Sequence, residues 1–268
     1  MNDETAPSIV TPDPWQDWRA ATPARLALGR SGAGMPTDET LRFGWAHAMA
    51  RDAIHAALDV DTLAASLREA GWPVESVRSQ AEDRGTYLRR PDLGRRLHAE
   101  DTARLRAIAE PCDLCVVIGD GLSSLAVQRH ALPLLDALRP LLPQALRLAP
   151  VIIATQARVA LADEAGEALG ARLSVMLIGE RPGLSSPDSL GIYLTFGPRL
   201  GRHDAQRNCI SNVRPAGLAY ADAAFRLSWL IREALRRGLS GVELKDESDH
   251  AVLDAAPAAA TLASRAKP

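Results

Sequence analysis

Long apolar runs are missing from this chain: no stretch approaches the roughly 20 residues that a membrane-spanning helix needs. Aromatic residues are scarce, at 4%, although apolar residues reach 47%. The core must therefore be built from Ala, Leu, Val and Ile. Three cysteines are too few for a disulfide framework. The N-terminus, MNDETAPSIVTPDPWQDW, has neither the basic nor the apolar segment of a secretory signal. Both features fit a reducing cytoplasm. Charge of one sign is missing too: 31 Lys and Arg stand against 33 Asp and Glu, for a net charge of −2. That balance excludes a general binder of nucleic acid or of anionic membranes. Neither a G-x-G-x-x-G fingerprint nor a P-loop lysine is present.

What is there is a chain of 268 residues, long enough for a sizeable core and one or two domains. Residues 1–14, with Pro7, Pro12 and Pro14, read as a flexible arm. Residues 15–100 read as a mainly helical N-terminal region, with helices from about Glu39 to Leu58 and from Thr62 to Ala70, followed by an arginine-rich loop. From about residue 101 to 250, strands alternate with helices. Leu114–Ile118, Val151–Thr155, Leu173–Ile178 and Leu190–Phe196 read as strands, and Thr102–Glu110, Ser123–Leu138, Asp163–Leu169 and Tyr220–Arg237 as helices. This alternation predicts an α/β fold with a doubly wound sheet. Residues 251–268, rich in Ala, read as a disordered tail.

Several clusters invite a chemical reading. Gly179-Glu180-Arg181-Pro182-Gly183 and Ser185, Ser186 and Asp188 form a polar loop after a buried strand. Open α/β sheets bind ligands outside that end of a strand. Asp120-Gly121-Leu122-Ser123-Ser124 turns from a strand into a helix, whose free N–H groups can take an anion or be capped by Ser. Cys112 and Cys115 form a C-x-x-C that leads into a strand, without a second ligand pair for zinc, and read as two plain thiols. His47, Arg51 and His55 share one helix face, read as an interface rather than a metal site. Arg84, Arg89, Arg90, Arg95 and Arg96 are interleaved with acids, and aromatics for base stacking are nearly missing, which points to a solvated or subunit-docked face. Taken as residues alone, Glu180 can accept hydrogen bonds from ligand amides or pair with Arg181 or another arginine. Cys209 reads as a buried small hydrophobe, and Val159 as core packing.

GERPGLSSPDSLGIY, Gly179 to Tyr193, followed by Arg207-Asn208-Cys209-Ile210-Ser211-Asn212, resembles the small (light) subunit of ethanolamine ammonia-lyase. Three more segments support the resemblance in the family's order: Ala46 to His55, Tyr87 to Leu97, and Asp120 to Ser124. Together they span roughly residues 15 to 246, and five ordered segments are far more specific than one motif.

The resemblance implies a Rossmann-like domain over residues 101–250 that forms one side of a site for base-on adenosylcobalamin, with Val159, Glu180 and Cys209 as its contacts. It implies a large subunit as partner, several small–large pairs in the assembly, and radical conversion of ethanolamine to acetaldehyde and ammonia by a carbon–nitrogen lyase active only with that subunit. No catalytic residue is assigned here, because the cofactor carries the radical chemistry. Asp249-His250-Ala251-Val252 lacks the glycine of D-x-H-x-x-G, the motif by which base-off proteins bring a His to cobalt, in keeping with base-on binding. Some family members enter a bacterial microcompartment through an amphipathic N-terminal peptide; the three prolines argue against that here. The competing readings are a free-standing nucleotide- or dinucleotide-binding α/β protein, against which the missing glycine fingerprint counts, and a scaffold without a ligand.

Overall fold

A computed structural model describes residues 8–249; the expected tail at 251–268 and the first half of the expected N-terminal arm lie outside the described residues. Thr11 pairs with Arg30 as an isolated bridge, so residue 11 of the expected arm is tied to the following segment. In chain order the regular elements are α1 (Thr37–His55), α2 (Val60–Glu69), β1 (Val74–Arg78), α3 (Arg84–Arg89), α4 (Ala99–Ala107), β2 (Leu114–Gly119), α5 (Ser124–Leu138), β3 (Val151–Thr155), α6 (Leu161–Ala168), β4 (Leu173–Gly179), β5 (Leu190–Phe196), β6 (Arg207–Val213) and α7 (Tyr220–Arg237). No helix among the described residues is long and apolar enough to cross a membrane.

The fold is mixed α/β, built on one six-stranded sheet in the order β1-β3-β2-β4-β5-β6. β1, β3, β2 and β4 run parallel, while β5 and β6 extend the sheet antiparallel. β2 reads LCVVIG and is buried at every position, as a strand covered on both faces must be. Alternate residues feed two separate cores. Leu114, Val116 and Ile118 meet Leu63 and Leu67 of α2, Val127 and Leu134 of α5, and Leu227 and Ile231 of α7. Cys115 and Val117 meet Leu105 of α4 and Leu161 and Ala165 of α6. The chain leaves β2 through α5 to β3 on one side, then crosses back through α6 to β4 on the other. Right-handed crossovers in opposite directions put α5 and α6 on opposite faces.

Three elements are not among those expected. β1 is a five-residue edge strand inside the region expected to be mainly helical, and it joins the sheet beside β3. α3 forms where an arginine-rich loop was expected, capped by Asp83, whose Oδ1 accepts the Thr86 N–H at 2.9 Å. β6, through Cys209, pairs with β5 after a short 3-10 turn at Asp204–Gln206. All three are short, and only pairing or capping by distant residues distinguishes them from loop.

Two charge clusters, each around a buried carboxylate, brace the starts of strands. Arg207, at the start of β6, donates to Asp163 of α6, and both side chains are almost fully buried. Burial pushes the Asp163 carboxyl above its ordinary range, with Arg207 pulling against it. Asp113, just before β2, accepts from Arg147 at 3.2 Å and Arg172 at 3.4 Å. Arg147, then its backbone N–H, hold the Asp113 pKa down at about 2, from an ordinary 3.8.

Removing one member of the Asp163–Arg207 pair strands the other as a buried charge. Arg207→Met is expected to cost about 3–5 kcal/mol, and Asp163→Leu combined with Arg207→Met to recover most of it. Denaturant unfolding of the singles and the double reads this coupling. Asp113, with its depressed pKa, contributes stability that is complete above about pH 4 and is lost as pH falls toward 2. Asp113→Asn should flatten the thermal melting profile across that acid window and leave its shape near neutral pH unchanged.

Candidate functional site

The parallel strands β2, β3 and β4 end together, where the chain reverses direction across the sheet. Open α/β sheets form a ligand crevice at such a switch point. A cavity of about 480 Å³ lies there, lined by Gly121 and Leu122 after β2, Arg158, Val159 and Ala160 after β3, and Ile178 to Arg181 at the end of β4. Tyr87, Arg95, Tyr193 and Asp204 complete its wall.

Glycine is needed where the strand ends converge. Gly121 has φ +56°, and a Cβ there would lie 2.2 Å from the Gly179 carbonyl oxygen. A Cβ on Gly179 would lie 2.0 Å from the Ser123 carbonyl oxygen. The Leu122 N–H donates to the Gly179 carbonyl at 2.9 Å. A side chain at either glycine would push β2 and β4 apart at the cavity floor. Ser123 caps α5 by accepting the Ala126 N–H at 3.3 Å and itself donates to the Pro187 carbonyl at 2.8 Å. The polar loop is therefore fastened back onto α5, helped by Arg129 on Asp188 at 2.9 Å.

The residues flagged in the sequence converge on one surface. Val159 and Glu180 line the cavity. Cys209 does not line it, but stands directly across from Tyr193, which does. Its partner in the register puts Cys209 on the same face of the sheet, where Ser211 follows two residues on. The helices on that face, α4 and α6, pack over β2, β3 and β4. Cys209 and Ser211 on β6 are exposed, with Sγ and Oγ 3.3 Å apart. The expectation of a buried Cys209 thiol is thus corrected: β6 ends the sheet on its uncovered side. Burial, and then the neighbouring Cys209, push the Tyr193 phenol well above its ordinary range.

Glu180 does not enter an arginine pair among the described residues. Its carboxylate instead accepts from Ser189 Oγ and, at 3.3 Å, from the Asn212 N–H. Gly191 beneath leaves room for it: a Cβ there would stand 3.0 Å from Glu180 Oε1. A carboxylate has about four acceptor positions, so lone pairs are left for a ligand.

The arginine-rich segment contributes more than a solvated face. Arg84 is largely buried and donates to the Gly121 carbonyl at 2.8 Å and the Ile54 carbonyl at 2.6 Å. The guanidinium carbons of Arg84 and Arg158 lie 4.7 and 4.6 Å from the Tyr87 ring centroid. The Tyr87 hydroxyl donates to the Ala157 carbonyl at 3.2 Å, and burial pushes its pKa up to about 12. The signal in the sequence was the buried aromatic within the arginine run, Tyr87-Leu88-Arg89-Arg90. Other flagged residues lie elsewhere. Cys112 and Cys115 are free, buried thiols whose pKa values burial raises. His47, Arg51 and His55 are exposed on α1 and do not line the cavity.

The chain matches the family model described as ethanolamine ammonia-lyase light chain over residues 12–245. It is 59% identical over 254 residues to the ethanolamine ammonia-lyase small subunit of Azotobacter vinelandii, covering 93% of this chain and 94% of that protein. The small subunit of Pseudomonas aeruginosa is 53% identical over 259 residues, covering 95% of each. That of Bradyrhizobium diazoefficiens is 56% identical over 238 residues, covering 88% of this chain and 91% of its own length. With these matches over most of its length, the chain belongs to the ethanolamine ammonia-lyase light chain family.

Proposed function

We propose that this chain is the small subunit of an adenosylcobalamin-dependent ethanolamine ammonia-lyase, and that the cavity at the ends of β2, β3 and β4, with the uncovered face of β5 and β6, is its half of the cofactor site. The observation that carries the reading is the row Val159, Glu180, Tyr193 and Cys209, one residue from each of four successive segments along an open surface. A flat corrin has an apolar rim of methyl and methylene groups and a periphery of amides. Val159 suits the rim, and Glu180, with lone pairs to spare, suits an amide N–H. The cavity, at about 480 Å³ and open on one side, holds part of a corrinoid rather than enclosing it. The remaining wall belongs to the large subunit. The sheet acts as a Rossmann-like platform in the region 101–250, with β1 as an added edge.

When bound, adenosylcobalamin supplies the radical chemistry that no side chain here performs. The protein's share would be to bind and orient it, with Val159 and Glu180 of the cavity lining among the residues that would hold it. The three guanidiniums of Arg95, Arg158 and Arg181 disfavour a cationic amine, so ethanolamine is taken up on the large subunit. α1 serves assembly: it buries only Glu39, Ala50 and Ala53, and exposes Leu41 and Trp45 at about 70%. Several small–large pairs assemble in this way. The nucleotide-binding alternative has no counterpart in the lining, because neither strand end carries a glycine-rich phosphate loop.

The chain alone, given adenosylcobalamin and ethanolamine, is expected to release no ammonia, and to do so once the large subunit is added; turnover by the chain alone refutes the division of sites. Glu180→Gln should weaken cobalamin binding by about 10- to 100-fold, since one charged hydrogen bond is worth roughly 1.5–3 kcal/mol. Spectrophotometric titration of the assembled variant, beside its thermal melt, separates this from a structural role. An unchanged affinity with a lowered melting temperature would assign Glu180 to holding Ser189 and Asn212 alone.

A further inference from the structure

The charges around the cavity do not balance. Its lining carries three guanidiniums, Arg95, Arg158 and Arg181, against two carboxylates, Glu180 and Asp204. Neither carboxylate pairs with an arginine of the lining. Asp204 pairs with Arg207 at 3.0 Å, and Glu180 accepts from Ser189 and Asn212. Arg158 is anchored through its Nη2 on the Tyr87 carbonyl at 3.2 Å, yet its Nε is buried without a partner. Arg95 and Arg181 are exposed, and neither side chain makes a hydrogen bond or ion pair among the described residues. Every other arginine of the 84–96 cluster except Arg89 has a carboxylate within 4.0 Å. Two free guanidiniums facing one cavity, beside a third with an unused donor, call for an anion.

We propose that Arg95 and Arg181 form a phosphate corner of this cavity, which takes the phosphodiester of the nucleotide tail of the cobalamin. This rests on the cobalamin reading above and extends it from the corrin to the tail. The chemistry fits on three grounds. A phosphodiester carries the single negative charge the lining lacks. It offers two terminal oxygens to a guanidinium fork, a planar match that a lysine would not make. The corner also explains how affinity is gained without a protein ligand to cobalt: the tail is held at its anionic link, while Glu180 holds an amide elsewhere on the wall. Arg158, fixed on Tyr87, sets the charge of the corner without having to move.

The test uses the assembled small–large complex and three corrinoids: adenosylcobalamin, adenosylcobinamide phosphate and adenosylcobinamide. The first two carry the phosphate and the third does not. Equilibrium titration read by the visible corrinoid spectrum gives the affinity of each. In Arg95→Gln combined with Arg181→Gln, both exposed positions, the two phosphate-bearing ligands should bind about 10- to 100-fold more weakly. Adenosylcobinamide should change less than about twofold on the same scale. Lysine at both positions should restore part of the loss, since it keeps charge and loses the fork. An equal loss for all three corrinoids, or a loss of subunit assembly, would assign the arginines to the large subunit and overturn the proposal. Unchanged affinities for all three would overturn it as well. A wild-type complex that binds none of the corrinoids would instead sink the cobalamin reading on which it rests.

Discussion

Asp120 leaves the end of β2 with its carboxylate 2% exposed, and its two oxygens receive the backbone N–H groups of Gln156 and Ala157 at 3.0 and 2.9 Å. Gln156 adopts φ +53°, an unusual region for a residue with a side chain, and these bonds hold it there. The segment that follows carries Arg158 and Val159 into the cavity. Arg84 approaches the same carboxylate at 3.5 Å and reaches the neighbouring Gly121 carbonyl. Burial pushes the Asp120 carboxyl upward, while the two N–H groups and Arg84 pull it down. A buried carboxylate is tolerated only with such partners. One residue thus ties the ends of β2 and β3 together and joins both to α3.

Tyr87 extends this anchorage. Its hydroxyl donates to the Ala157 carbonyl, its own carbonyl receives Arg158, and its ring has two guanidinium carbons 4.7 and 4.6 Å from its centroid. The Arg158 N–H also donates to the Gly94 carbonyl at 2.8 Å. The cavity wall is consequently a shared structure of the 84–96 segment and the β3 end. On the other side, Gly121 and Gly179 let β2 and β4 touch backbone to backbone, so the floor is rigid where the strands diverge. A rigid floor, a fastened loop at Pro187 and Asp188, and an open outer side are what a half-site needs before another polypeptide closes it.

The guanidiniums around the cavity favour an anionic ligand over a cationic one. The apolar exposure of α1 lies apart from this charge and adjoins the loop at Leu184 to Pro187, with a shallow groove between them. The charged cavity and the apolar face of α1 are thus chemically different surfaces that adjoin at this loop.

The local sequence determined most of the regular structure. β3, β5 and α7 begin and end where the apolar pattern does, because strands buried on both faces and a long amphipathic helix announce their own period. It also determined the family, through ordered segments, whereas Val159, Glu180 and Cys209 were singled out by the resemblance and not by their local pattern. It did not determine β1, α3 or β6, whose short sequences acquire their conformation from β3, from the Asp83 cap and from β5. Nor did it determine the exposure of Cys209, which follows from β6 being the last strand on a face whose helices stop at β4. The difference between a solvated arginine run and one that builds a cavity wall was likewise decided by the tertiary structure. Arg84 and Arg95 stand eleven residues apart in the chain, and only the packing around Tyr87 and Asp120 buries the first and leaves the second at the cavity. Sequence period reports which face of an element is apolar; which charged groups meet depends on contacts between segments far apart in the chain.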